Sequence, residues 1–177
     1  MTPPESTTGH ESLERVYAQH GPELLRYLRR LTGSVSDGSD LLQETFLRLW
    51  RQRDDEPITN VRAWLFRVAT NLAQNHRRDT ERQRTREREA STLRPTWISL
   101  EHALDAKTRV DAALSTIDER GRRVLLLFAE GFTYREISSI TGIDAGYVGV
   151  LMQRARQQFR ACLVVDTNAQ PDIERIS

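Results

Sequence analysis

The chain has 177 residues, 38% of them apolar and 29% charged, with a formal net charge of +1. That size allows one domain or two small ones, and the balance fits a globular protein with modest cores. Cys162 is the single cysteine, which excludes an intramolecular disulfide and a thiolate metal cluster.

No apolar run approaches the ~18 residues needed to span a bilayer, and the amino terminus lacks a signal-peptide pattern; the cytoplasm is therefore the expected compartment. The net charge hides an asymmetry. Residues 1–60 carry 7 basic and 10 acidic side chains, residues 61–94 carry 9 and 4, and residues 95–177 carry 10 and 11. A basic middle third is a candidate phosphate-contacting surface, and equally the pattern of a solvated helix face.

Residues 1–10 are polar with Pro3 and Pro4 and are expected to be disordered, the fold starting near Glu11. Leu13, Val16, Tyr17, Leu24, Leu25, Leu28 and Leu31 follow helical spacing, with Gly21 and Pro22 expected to break the helix or open a second one. Gly33 closes this segment. Ser36 or Asp37 is expected to cap the next helix, on which Leu41, Leu42, Thr45, Phe46, Leu49 and Trp50 form an apolar stripe. After a polar loop, Asn60 is placed to cap a helix with Val61, Trp64, Leu65, Val68, Ala69, Leu72 and Ala73 toward a core.

Beyond Asn75 the stripe stops, and RRDTERQRTRER over 77–88 has no side to bury. Residues 82–104 read as a linker between a first domain at 11–81 and a second at 105–164, with a short tail at 165–177. In the second domain Leu104, Val110 and Leu114 resume the periodicity. Asp118 caps a helix expected to bury Val124, Leu125 and Phe128, and Gly131 ends it. Thr133 and Glu136 form a capping box, Gly142 makes a turn, and Asp144 caps a last helix reaching about Leu163. A short helix, a glycine turn and a longer helix make a helix-turn-helix, and no strand pattern occurs: the expected fold is all-α, two small helical domains.

Catalysis finds no support in the motifs. No nucleotide-binding glycine loop, no metal-spaced ligand set and no nucleophile-base pattern is present, and His10, His20, His76 and His102 are scattered. No cofactor is expected.

The stretch SDGSDLLQETFLRLW over 36–50, followed by VRAWLFRVATNLAQN over 61–75, resembles the polymerase-binding and promoter-melting domain of bacterial sigma factors. ALSTIDERGRRVLLL over 113–127 and EGFTYREISSITGI over 130–143 resemble sigma domain 4, the reader of the −35 element. Two matches in that order, covering about residues 11–80 and 105–163 with only a linker between, are similar to the small extracytoplasmic-function group.

That resemblance implies a protein that selects promoters for core RNA polymerase, contacting its β′ clamp helices and β flap, under the control of an anti-sigma protein. It implies polymerase contact by Asp40, Gln43, Glu44, Leu47 and Trp50 on an acidic, partly apolar helix face. It implies −10 contact by Arg67, Asn71, Asn75, His76, Arg77 and Arg78, with Asn71 reading a base and the cations holding phosphates. For the −35 element the candidates are Arg135, Tyr147, Gln153, Arg154 and Arg156.

The last helix departs from the family pattern. Gly149, Val150 and Leu151 stand where a basic, a small hydroxyl and a second basic residue are usual. Two readings follow: Gly149 permits close approach to DNA, or this face docks on protein. The rival functions are a helix-turn-helix regulator acting without polymerase and a polymerase-binding decoy.

Overall fold

The computed structural model describes residues 6–52, 58–90 and 106–167. Among these residues the fold is all helix: α1 (Ser6–Thr32), α2 (Val35–Arg51), α3 (Val61–Ala90), α4 (Ala106–Ser115), α5 (Glu119–Ala129), α6 (Tyr134–Thr141) and α7 (Ala145–Thr167). α1, α2 and α3 pack together as a first body; α4 to α7 form a second.

α1 begins at Ser6, ahead of the expected start at Glu11, and runs unbroken through Pro22. Proline forfeits one helical hydrogen bond and costs about 3 kcal/mol. Leu24, Tyr27 and Leu28, all without exposed surface, follow it within two turns, while Leu13 and Val16 pack on the same core from the other side. Full burial of each such side chain contributes about 1.5–3 kcal/mol, so the core holds one helix where local propensity favours two.

Gly33 ends α1 at φ 71, a left-handed conformation that glycine adopts without penalty, its N–H donating to the Arg29 carbonyl at 2.9 Å. The cap of α2 is Ser34, not Ser36 or Asp37. Ser34 is extended (φ −130, ψ 132) and its hydroxyl accepts from the Asp37 N–H, whereas Ser36 and Asp37 already lie inside the helix. Gly38 then lets α2 approach α1: a Cβ there would stand 2.8 Å from Arg29 Cγ and 3.0 Å from the Arg29 backbone nitrogen.

α3 is tied to α1 by a buried polar pair. Tyr27 Oη lies 2.8 Å from Thr70 Oγ1, which itself donates to the Phe66 carbonyl at 2.6 Å. Thr70 has one hydroxyl proton, so Tyr27 is the donor. Burial pushes the Tyr27 hydroxyl well above the ordinary tyrosine range. α3 continues to Ala90, into the stretch read as linker; residues 91–104 of that stretch lie outside the described residues, as do residue 105 and, in the two tails, 1–5 and 168–177.

In the second body Asp118 accepts from the Gly121 N–H, Thr133 and Glu136 complete a reciprocal capping box, Gly142 closes α6 at φ 70, and Asp144 accepts from Gly146 and Tyr147. The α5 expectation needs correction. Val124, Leu126 and Leu127 are buried, Leu125 is half-buried and Phe128 is exposed, because α7, α1 and α6 cover a side of α5 rotated from the one the spacing marked. α7 extends to Thr167, past the expected end near Leu163.

Among the described residues no helix is long and apolar enough to cross a membrane, and no group of His, Cys, Asp or Glu is arranged to hold a metal ion.

Candidate nucleic-acid and partner interfaces

α2 turns Leu41, Leu42, Thr45, Phe46 and Leu49 into the core, which leaves the opposite stripe for solvent. Asp40, Gln43, Glu44, Leu47 and Trp50 follow each other there at three- and four-residue spacing. Leu47 and Trp50 keep 48% and 38% of their surface exposed. Glu44 is held by Arg48 Nε at 2.9 Å. The helix thus carries carboxylates and large apolar groups on one outward face, a composition suited to a basic, partly apolar helical partner.

α3 buries Leu65, Phe66, Ala69, Thr70, Leu72 and Ala73. Arg67, Asn71, Asn75 and Arg78 recur on one exposed stripe. Two of the expected −10 residues stand apart from it. His76 Nε2 is 3.3 Å from Asp37 at the start of α2. Arg77 pairs with Glu81 at 2.8 Å on its own helix and with Glu119 of α5 at 3.0 Å. Its guanidinium is held above the ordinary arginine value chiefly by the hydrogen bond to Glu81.

Arg135, Tyr147, Gln153, Arg154 and Arg156 are all exposed, but they do not share one surface. Gln153 and Arg156 border a shallow groove with Tyr134 and Gly149, and Arg156 lies 4.8 Å over the Phe128 ring. Tyr147 instead lines a crevice of about 480 Å3 with Arg77 and Arg78. Of the unusual residues, Val150 is 40% exposed, whereas Leu151 is buried beside Val148, Met152 and Ala155. Leu151 is therefore core, and only Val150 remains as an apolar surface group there.

The residues that sequence spacing missed sit where the two bodies meet. Phe132, 3% exposed, packs edge-on against Phe66 with ring centroids 4.9 Å apart. Arg62 Cζ lies 4.2 Å from the Phe132 centroid, and its guanidinium forks onto Glu23 through Nε and Nη2, both at 3.0 Å. The same Nη2 donates to the Glu130 carbonyl. Arg26 makes a second fork onto the Glu130 carboxylate at 3.2 and 2.6 Å. Burial alone would raise the Glu23 carboxyl; hydrogen bonds from Arg62 and His20 outweigh it and hold it below the ordinary value. The signal available in sequence was an arginine and an aromatic, Arg62 and Phe66, off the stripe of the first domain.

This arrangement defines a two-domain helical protein with a helix-turn-helix, a helix with an acidic and apolar outward face, and a second helix with a polar, cationic face. A family model for Sigma-70 region 2 matches residues 16–83, and one for Sigma-70, region 4 matches residues 107–159. The ECF RNA polymerase sigma factor EcfG of Rhodopseudomonas palustris is 33% identical over 153 residues, 82% of this chain and 81% of that protein. SigE of Mycolicibacterium smegmatis is 32% identical over 161 residues, 84% of this chain, which spans 60% of SigE.

Among solved structures, the sigma factor RpoE in complex with the anti-sigma factor NepR from Bartonella quintana superposes with a TM-score of 0.72 at 24% identity, over 88% of this chain and 99% of that one. CnrH in complex with the cytosolic domain of CnrY gives 0.65 at 25%, over 89% and 90%. The chain belongs to the ECF RNA polymerase sigma factors, non-catalytic proteins that direct RNA polymerase to promoters.

Proposed function

We propose that α2 docks the chain on core RNA polymerase, at the β′ clamp helices, while α3 captures the −10 element and α7 reads the −35 element. The boundaries that go with these roles are residues 11–81 for the first unit and 105–164 for the second. The observation that carries the reading is the division of α2 into a buried apolar stripe and an outward face that keeps Asp40, Gln43, Leu47 and Trp50 exposed. A large tryptophan and a leucine left half in solvent beside carboxylates favour a partner surface over a merely solvated helix.

On α3, Asn71 has the groups to read a base edge, with Arg67 and Arg78 a turn or two away for the backbone. On α7, Gln153, Arg154 and Arg156 supply amide and guanidinium groups for the major groove, and Val150 offers a methyl contact. The β flap is the proposed polymerase contact of the second unit. An anti-sigma protein is the proposed regulator, supported by the relatives RpoE and CnrH, each solved with a partner protein.

Affinity for purified core polymerase tests the docking face. Asp40→Ala/Leu47→Ala is expected to weaken binding at least tenfold without changing the melting temperature by more than a few degrees. Unchanged affinity would remove α2 from the interface.

A further inference from the structure

Packing does not explain Gly149. It sits inside α7 without a left-handed backbone, and a Cβ there would meet Tyr134 Cε2 at 3.8 Å, an ordinary van der Waals contact. Gly38 is different: a Cβ there would stand 2.8 Å from Arg29 Cγ, so the close approach of two helices requires the glycine. Glycine is a poor helix former, and no contact among the described residues calls for it at 149. What it leaves is a groove on the helix-turn-helix body, with Tyr134 and the buried Met152 as floor and Gln153, Arg156 and Arg160 around it.

The groove is apolar inside and cationic outside. Val150, next to Gly149, and Tyr134 keep 40% and 39% of their surface exposed. Arg156 Cζ lies 4.8 Å from the Phe128 centroid, and that ring meets Tyr134 edge-on at 5.8 Å, which holds the guanidinium at the margin. Between Ala145 and Arg160, α7 carries three arginines and no carboxylate. Such a surface suits an anionic partner that also presents small apolar groups. The major groove of duplex DNA does so: thymine alone among the four bases shows a methyl group there, beside N6 and N7 of its adenine. Gln153 stands three and four residues after Val150 and Gly149, so its amide shares their face and has the donor and acceptor that adenine requires.

We propose that the atypical α7 reads its element through a methyl notch: Val150 and the groove that Gly149 leaves open over Tyr134 take the 5-methyl group of a thymine, and Gln153 pairs with a neighbouring adenine. The inference rests on the assignment of α7 to −35 duplex DNA. It gives Gly149 and Val150 a shared role, selecting an A·T step through shape and apolar contact where a basic residue would select guanine or phosphate. Arg154, Arg156 and Arg160 supply the sequence-independent attraction to the backbone.

Holoenzyme assembled from the full chain and core polymerase first selects a promoter from genomic fragments. That promoter is then remade with deoxyuridine for thymidine at each −35 position in turn, which removes the methyl group and leaves base pairing unchanged. One substitution is expected to weaken holoenzyme binding about fourfold, the value of burying one methyl group. The penalty is expected to vanish in Gly149→Leu, which fills the notch, and to fall below twofold in Val150→Ala; both sites have room, so melting temperatures should stay within a few degrees of wild type. Indifference to deoxyuridine at every −35 position overturns the notch, as does a penalty that persists in full in both variants. Selection of no fragment, or unchanged affinity when the whole −35 element is replaced, overturns the −35 assignment of α7 itself.

Discussion

Removing the Tyr27 hydroxyl and removing its acceptor should have unequal costs. Tyr27 donates to Thr70 Oγ1, and Thr70 donates onward to the Phe66 carbonyl. Tyr27→Phe deletes a donor and leaves Thr70 with its own bond intact, so the loss is that of one net hydrogen bond, about 1 kcal/mol. Thr70→Val deletes the acceptor and leaves a fully buried Tyr27 hydroxyl with nothing to donate to, which costs about 2–3 kcal/mol.

The double variant should sit closer to Thr70→Val minus that orphan penalty than to the sum of the singles, a coupling of about 1 kcal/mol or more. Urea unfolding of the four proteins measures the cycle. Because Thr70 immediately precedes Asn71 and fixes the rotation of α3 against α1, Thr70→Val should also weaken −10 recognition while Asn71 itself is intact. The burial that raises the Tyr27 hydroxyl adds a pH signature. A raised value means stability that is complete below the ordinary tyrosine value of about 10 and is lost as pH climbs beyond it. Wild type should lose stability above that point and Tyr27→Phe should lose less. Equal costs for the two single variants, or strict additivity, would refute the donor assignment.

Gly38→Ala should destabilise the chain by about 1–3 kcal/mol, since the added Cβ meets Arg29 backbone as well as its flexible side chain; thermal denaturation reads this directly. Glu23 and Glu136 both lie below the ordinary glutamate value of about 4.3, Glu136 chiefly through the backbone N–H of Thr133. Depressed carboxyls stabilise above that value and lose the contribution as pH falls through their folded values, so melting temperature should drop below pH ~4 and the drop should shrink in Glu136→Gln. Arg154→Ala should reduce affinity for duplex promoter DNA and lower the slope of binding against salt by about 1, measured by anisotropy titration.

Much of the site was legible because the core dictates it. Once Leu41, Leu42, Thr45, Phe46 and Leu49 are assigned inward, the α2 face follows from helical geometry, and the same holds for Arg67, Asn71, Asn75 and Arg78 on α3. What spacing could not give were decisions made across the chain. Pro22 stays helical because Leu24, Tyr27 and Leu28 are buried together, and Ser34 caps α2 because Gly33 turns the chain immediately before it, ahead of the Ser36-Asp37 pair. Leu125 and Phe128 lie in a run of consecutive apolar residues, 124–129, which fits any helical phase, so spacing alone does not fix which of them turn inward. Arg62, Phe66, Phe132 and Glu130 belong to an interface between residues up to 104 positions apart, and no local period encodes such a meeting.

The central claim is that this chain gives core RNA polymerase a promoter preference and opens the −10 region through α3. Run-off transcription with core polymerase on a genomic fragment library, combined with permanganate detection of unpaired thymines, tests it most directly. Wild type is predicted to yield discrete transcripts with a reactive patch near −10, and Asn71→Ala to lose both while still binding core polymerase. Stable binding to core polymerase with no transcript from any fragment, or transcripts and reactivity unchanged in Asn71→Ala, would contradict the account.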